Sequence, residues 1–395
     1  MIAERDVVVV SGVRTAIGDY GGGLKDVPPT RLAAAVVREA VARARVEPDR
    51  VDHVVFGNVI QTEPRDHYMA RVAAVDGGLP VEVPALTLNR LCGSGLEAIV
   101  SAAQAIRVGD ADVAVAGGAE SLSRAPYWLP ELRWGQRMGA ATALDIMVGA
   151  LSDPFDGSLM GVTAENLAER WEISREEQDA LAVESHRRAA LAISDGRFTE
   201  QILPIEVTTR KGAVTVDTDE HVRADASLEA MARLRPVFKK EGTVTAGNAS
   251  GTNDAAAAVV LMERTAAEGR GLEPLARLVG CAHAGVEPRY MGIGPVPAVR
   301  RLMERTGLAV DDMACIELNE AFAAQALAVI RELGLPEDRT NPNGSGISLG
   351  HPVGATGCIL TVKALEELRR TDGRYALVTL CIGGGQGIAA IFERL

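Results

Sequence analysis

Three small-residue stretches of the 395-residue chain each carry one side chain able to attack carbon or move a proton. These are Cys92 in LNRLCGSGLEAI (88–99), His351 in SLGHPVGATG (348–357) and Cys381 in LCIGGGQG (380–387). A thiol forms a thioester once a base takes its proton. Glycine-rich backbone lets a ligand approach and turns N–H groups toward a developing negative charge. Nucleophile, base and N–H donors together are the parts of an acyl-transfer site. Cys92 stands between an apolar run ending at Leu91 and a turn that opens a helix-like pattern. The unpaired N–H groups of a helix start lower the pKa of a nearby thiol, so a depressed Cys92 pKa is expected.

Each residue also has a plainer reading: Cys92 as a small hydrophobe, His351 as a structural histidine, Cys381 as an inert strand residue, Asn319 in NEAFA (319–323) as a helix cap. Their joint occurrence carries the argument. His53, His67, His186, His221 and His283 stand in no comparable setting and read as surface or core residues. The letters around Cys92 also spell G-x-G-x-x-A after the strand-like 84–88, the pattern of a dinucleotide-binding oxidoreductase. That fingerprint wants an acidic residue ending the next strand, whereas Asp110 and Asp112 precede it.

The elements that must position these groups alternate. Strand-like runs at 7–10, 54–56, 113–116, 275–279, 315–318 and 375–380 alternate with helical patterns such as 30–45 and 96–106, which indicates α/β layers with buried strands. The plan is repeated. VFGN (55–58) resembles IELN (316–319), CGSG (92–95) resembles HPVG (351–354) and VAGG (115–118) resembles CIGG (381–384), so two copies packed face to face bring equivalent turns together. Between the copies, 121–244 holds all three tryptophans and dense charge. In it SREE (174–177) is a capping box opening a helix that Asp195-Gly196 ends, and 205–217 is a hairpin turning at Lys211-Gly212. TAGNASG (245–251) then returns the chain to an Ala/Val-rich helix or strand. The domains are read as 1–120, an N-terminal half; 121–244, an insertion; 245–271, completion of the first half; and 272–395, the C-terminal half.

Composition narrows the function. Hydrophobic residues at 47% and charged residues at 24% describe a packed globule whose core, with aromatics at only 4%, is built from aliphatic side chains. A net charge of −12 argues against a nucleic-acid partner, though it allows a small anionic ligand on a local basic patch. The five cysteines are widely spread, with neither metal-ligand spacing nor a disulfide framework, which points to a reducing compartment. The start MIAERD carries charge where a signal peptide needs an apolar region, and no run approaches a membrane span, so a cytoplasmic protein without membrane contact is expected.

The blocks NRLCGSG (89–95), NEAFA (319–323), GHPVGATG (350–357) and CIGGG (381–385), with GVTAEN (161–166) and MGIGP (291–295), resemble in order and spacing the signature blocks of thiolases, the acetyl-CoA acetyltransferase and 3-ketoacyl-CoA thiolase family. The resemblance runs along almost the whole chain. It implies an α/β fold of two related βαβαβαββ halves in a five-layered αβαβα arrangement, with an inserted loop domain that binds coenzyme A. It implies that Cys92 is the acylated nucleophile, that His351 takes its proton, and that Cys381 is the acid/base acting on the second substrate. Asn319 is then expected to hold a water that forms one oxyanion site with His351, and the N–H groups of Cys92 and Gly383 to form the other. It further implies that Arg223 contacts the nucleotide end of CoA, that Ser250 lies near the pantetheine, and that Leu151, Met160, Phe238, Met291, Ala321 and Phe322 wall the substrate pocket.

The implied partners are acetyl-CoA and other acyl-CoA thioesters, with CoA as substrate or product, no tightly bound cofactor and no metal. The implied assembly is a homotetramer built as a dimer of dimers. Two positions depart from the family pattern. Leu159 replaces a histidine that touches the pantetheine region in many acetoacetyl-CoA thiolases, and Asn253-Asp254-Ala255 replaces a more usual N-D-G; neither is expected to touch the chemistry. Ketoacyl synthases, the related condensing enzymes, lack the second cysteine and the N-E-A-F block. A catalytically silent CoA-binding scaffold has no need for a reactive Cys92.

Overall fold

The computed structural model describes residues 5–210 and 212–395, so the segment Met1 to Glu4 and Lys211 lie outside the described residues. Nine strands form one continuous path: β1 Val7–Thr15, β2 His53–Gly57, β3 Ala85–Leu88, β4 Val113–Ser121, β5 Asn253–Glu263, β6 Ala276–Gly285, β7 Met313–Leu318, β8 Tyr375–Ile382 and β9 Gln386–Arg394. Their order is β7-β8-β9-β6-β1-β5-β4-β2-β3. The halves meet where Val8 pairs with Arg277 and Val9 with Ala276. β-branched runs such as Val7 to Val10 are buried, as are the alanines Ala255 to Ala258 of β5, whose small side chains let helices approach both faces.

The helices complete the layers. α1 (Pro29–Ala44) packs outside β1 and β5, with α2 (Met69–Asp76) beside it. α3 (Ser94–Val108) lies on β2 and β4, and α10 (Val353–Thr371) touches β4 and β5 on one side and β7 and β8 on the other. α7 (Pro295–Thr306) covers β6 and β9, and α8 (Ala323–Leu333) and α9 (Gly346–Leu349) precede α10 in the chain. The five layers are therefore α, β, α, β, α, with α3 and α10 in the middle. The expected strands are all present, several longer than expected, and the Ala/Val-rich run after Gly251 proves to be strand β5 rather than a helix.

Where α3 meets α10 there is no room for side chains. A Cβ on Gly95 would stand 2.7 Å from the backbone nitrogen of Cys358, and one on Gly357 would overlap Leu96 N. A Cβ on Gly93 would stand 2.6 Å from the Ile382 side chain. The glycines of the G-x-G-x-x-A pattern thus face packed protein rather than an open phosphate cradle, which overturns the dinucleotide reading.

The internal repeat holds with one correction. β2 pairs with β4 in parallel, matching Gly57 to Gly118, and β7 pairs with β8 in parallel, matching Leu318 to Thr379. With Asn58 and Asn319 equivalent, Glu120 and not a glycine stands where Cys381 stands in the other half. VAGG and CIGG are not counterparts because their glycines serve different needs. Gly117 and Gly118 lie inside β4, where the carbonyls of Ala257 and Gly354 press close, whereas Gly384, with Gly385 after it, turns the chain from β8 to β9 at φ +80° and +84°.

Between β4 and β5 the chain builds α4 (Ile146–Ala150), α5 (Met160–Arg170) and α6 (Arg175–Ser194). The Ser174 and Glu177 side chains cap the start of α6 reciprocally, as the sequence indicates. Strands Ile205–Thr209 and Gly212–Val216 form the expected hairpin; its turn at Lys211 lies outside the described residues. This segment docks on β1 through the buried Arg14, which bonds Asp219 bidentately at 2.7 and 2.9 Å and Gln201 at 2.8 Å. Among the described residues no helix is long and apolar enough to cross a membrane.

The glycine crossing makes a stability prediction. Gly95→Ala destabilises by about 2 kcal/mol through overpacking, while Gly269→Ala, whose Cβ meets nothing within 4 Å, stays near neutral in urea unfolding. Equal midpoints for the two variants would contradict the close approach.

Candidate active site

Cys92 sits in a one-turn 3-10 segment, Leu91–Gly93, just before α3. The turn is tight enough to place Leu91 at φ +46°, a conformation L residues rarely adopt. Its own polar groups hold it: Asn89 Oδ1 accepts from Leu91 N at 2.8 Å, and the Ser94 hydroxyl accepts from Arg90 N at 2.8 Å while donating to Leu91 O at 2.7 Å. His351 occupies the corresponding turn before α10. Its backbone N–H donates to Asn253 Oδ1 at 2.9 Å, so the N-D-A segment does touch the machinery, contrary to the expectation from sequence.

Cys92, His351, Cys381 and Gly383 line one cavity of about 280 Å³. Met160, Met291, Ala321 and Phe322 cluster around Cys381 in its wall, and Leu151, Phe238 and Ser250 complete the expected lining. Phe238 stands edge-on to Phe322, with ring centroids 6.1 Å apart, and reaches that position because Gly161 offers no Cβ to block its ring. Ser250 N donates to Ala321 O at 2.9 Å and Ala323 N to Asn248 O at 2.8 Å, stitching the two wall segments together. Leu159 lies at the rim, partly exposed. Leu122, Val148, Thr252 and Val353 also line the cavity; nothing in their types or spacing marks them in the sequence.

Two expected residues lie off this lining. Asn319 is fully buried behind it, its Nδ2 3.4 Å from His351 Nε2, and its Oδ1 has no hydrogen-bond partner among the described residues. Arg223 is at the surface, where its guanidinium bonds Asp19 at 3.2 Å. Asp19 also holds His221 Nδ1 at 2.9 Å, and the His221 ring packs over Gly251 at the cavity edge.

Burial sets the protonation states. The Cys92 side chain keeps some surface on the cavity, yet desolvation pushes its pKa up to about 11. The N–H groups of Gly383 and of Cys92 itself point at the sulfur and act downward, and the negative charge of Glu120 acts upward. The expected depression by the helix start is therefore reversed, because the low-dielectric enclosure outweighs the backbone N–H groups. Burial likewise lowers the His351 pKa to about 4, leaving a neutral base at physiological pH. Cys381 is pushed well above the ordinary thiol range, first by burial and next by the charge of Cys92. The Thr356 hydroxyl donates to Pro352 O at 3.0 Å and lies 2.7 Å from His351 Nδ1, so it accepts from an Nδ1–H and leaves the Nε2 lone pair facing the site. Thr356 lies within the GHPVGATG block, and no sequence signal gives it this role.

The arrangement is two neutral thiols and one neutral imidazole in an apolar chamber, with backbone donors at one sulfur: the equipment of a cysteine-based acyl-transfer enzyme. The comparisons agree. The model of the thiolase N-terminal domain matches residues 7–265 and that of the thiolase C-terminal domain residues 272–394. Beta-ketothiolase BktB of Cupriavidus necator is 68% identical over 99% of this chain and 100% of its own. Acetyl-CoA acetyltransferase of Pseudomonas aeruginosa is 50% identical over 99% and 100%. Among solved structures, the acetyl-CoA acetyltransferase of Bacillus anthracis superposes with TM-score 0.98 at 47% identity over 100% of both chains. Human mitochondrial 3-ketoacyl-CoA thiolase in complex with CoA gives 0.96 at 45%, over 100% of this chain and 99% of that one. The chain belongs to the thiolase family.

Alkylation of Cys92 by iodoacetamide is expected to rise about tenfold per pH unit from pH 7 toward 10, as for a thiol titrating near 11. A rate that levels off below pH 8 would instead reveal a preformed thiolate–imidazolium pair.

Proposed function

We propose that the protein catalyses acyl transfer between CoA thioesters in two steps through an acyl-Cys92 intermediate. The net reaction is the reversible Claisen condensation of two acetyl-CoA to acetoacetyl-CoA, or the thiolysis of a 3-ketoacyl-CoA. The observation that carries this reading is the sharing of one cavity by Cys92, His351 and Cys381, with the Gly383 N–H turned to the Cys92 sulfur.

In the first step His351 Nε2 accepts the thiol proton as the Cys92 sulfur attacks the thioester carbonyl, and the departing CoA thiolate takes that proton as it leaves. The carbonyl oxygen, negative in the transition state, sits on the N–H groups of Cys92 and Gly383; such donors are commonly worth about 3 kcal/mol each. In the second step the Cys381 thiol passes its proton to His351 Nε2, and the resulting thiolate takes a proton from the methyl group of acetyl-CoA. The resulting enolate oxygen is held by His351 Nε2–H and by a water on Asn319, whose Oδ1 has no protein donor among the described residues. The enolate carbon then attacks the acyl carbon, and the Cys92 sulfur leaves as a thiolate and takes the proton held on His351 Nε2, which returns every group to its resting state. Two thiols suit two tasks, one becoming a thioester and the other exchanging a proton while staying free of acyl groups.

Coenzyme A enters across the 121–244 segment, which bears Leu151, Leu159, Met160 and Phe238 on the cavity. Ser250 meets the pantetheine, and Arg223, outside the cavity on the loop that carries His221, meets the nucleotide phosphates. Leu159 presents an apolar rim to the pantetheine where a histidine would present a polar one. The enzyme works as a cytoplasmic homotetramer, with no tightly bound cofactor and no metal, on CoA thioesters as its partners.

The decisive variant is Cys381→Ala. Incubated with acetyl-CoA, it gains one acetyl group on Cys92 by peptide mass analysis yet forms acetoacetyl-CoA at least about 1000-fold more slowly, as expected when a catalytic proton-transfer group is lost. Equal loss of acetylation and condensation would contradict the division of labour.

A further inference from the structure

The second half of the molecule brings Asn319 and Cys381 to the Cys92–His351 pair from β7 and β8. The strand registers put Asn58 and Glu120, at the ends of β2 and within β4, in the matching places of the first half. Glu120 is fully buried. Its Oε2 accepts from Gly354 N at 2.9 Å and from Val59 N at 3.1 Å; its Oε1 accepts from Ile60 N at 3.1 Å and from Asn58 Nδ2 at 3.3 Å. Gly354 is in the first turn of α10, three residues after His351, and a Cβ there would stand 2.7 Å from the Glu120 carboxylate. Val59 and Ile60, on the other side, pack with Leu122 and Val353 against Leu91 and Cys92. One carboxylate thus bridges the backbone beneath the imidazole and the backbone beneath the thiol.

We infer that Glu120 is a positioning residue: its carboxylate fixes the His351 turn against the Asn58–Ile60 backbone and sets a negative charge behind the Cys92 sulfur, which adds to the burial that keeps that thiol protonated until His351 takes the proton. The carboxylate sits at the positive end of the 19-residue helix α10 and opposes the part of that helix's field which acts toward thiolate. The groups facing it are few. Among the described residues no lysine or arginine bonds it, and the negative charge of Asp66, whose carboxylate accepts from Thr62 N at 2.6 Å and Glu63 N at 3.1 Å, acts on it. Cys92 and the neutral His351 complete the surroundings. Burial raises the Glu120 pKa to about 7 against the pull of its N–H donors, so the charge is complete through the alkaline range in which Cys92 titrates.

The inference rests on Cys92 being the acylated residue, and its test separates the two. Glu120→Gln keeps the shape and removes the charge; Glu120→Asp keeps the charge and shortens the reach. The pH profile of Cys92 alkylation and kcat for thiolysis of acetoacetyl-CoA are measured for both and for the wild type. For E120Q the alkylation midpoint is expected to fall by at least about half a pH unit, with kcat lowered about tenfold or more. For E120D the midpoint stays at the wild-type value while kcat falls similarly. Superimposed profiles for E120Q and wild type, or a midpoint moved equally by both variants, overturn the electrostatic role. Wild-type kcat in E120D overturns the positioning role, and this arm stands even if E120Q does not fold. Failure of the underlying catalytic reading shows separately, as absence of an acetyl group on Cys92 of the wild type after acetyl-CoA treatment.

Discussion

The close crossing of α3 and α10 between the two halves of the sheet governs the rest of the molecule. The helices approach backbone to backbone because Gly95 and Gly357 have no Cβ to keep them apart. The turns that precede them, bearing Cys92 and His351, are thereby pressed into one chamber. A single methyl at the crossing separates the turns, because backbone atoms, unlike flexible side chains, cannot swing aside. Around this contact the strands supply what helices alone cannot: β7 ends just before Asn319, and β8 brings Cys381 to the chamber with the Gly383 turn just beyond it.

Enclosure has a chemical consequence that opposes the one read from the nucleophile's local setting. A helix start attracts negative charge, but the field is modest, and burial of an ion in an apolar chamber outweighs it. The resting site is therefore uncharged at its thiols and imidazole, and charge appears only as reaction proceeds. Donors fixed in advance then act on the transition state more than on the resting enzyme, which is where they accelerate the reaction. Thr356 takes part by holding the imidazole with its Nε2 lone pair toward the chamber, and Asn253 by holding the backbone on which that ring is mounted.

Much of this was legible in the chain. The strand and helix runs, the Ser174–Glu177 cap, the hairpin around residue 211 and the doubled plan follow from periodicity and turn chemistry, which are local. The three reactive side chains were legible because each sits in a glycine-rich stretch, and such stretches are written in consecutive letters. What escaped depends on distant partners. Glu120 lies in a strand that reads as ordinary buried sheet, and its role exists only because Gly354, 234 residues away, presents an N–H to it. Sequence alone misaligns the repeat at VAGG because glycines that admit a neighbouring carbonyl look the same in sequence as glycines that turn the chain.

The central claim is that two sulfurs, distant in sequence, share one chamber, and a bifunctional thiol reagent tests it most directly. Dibromobimane, whose two short arms each alkylate a thiol, is expected to link the Cys92 peptide to the Cys381 peptide in the folded protein. Prior treatment with acetyl-CoA should prevent the link by occupying Cys92. Peptides carrying the reagent singly at Cys92, with Cys381 untouched or bridged elsewhere after full reaction, would contradict the account.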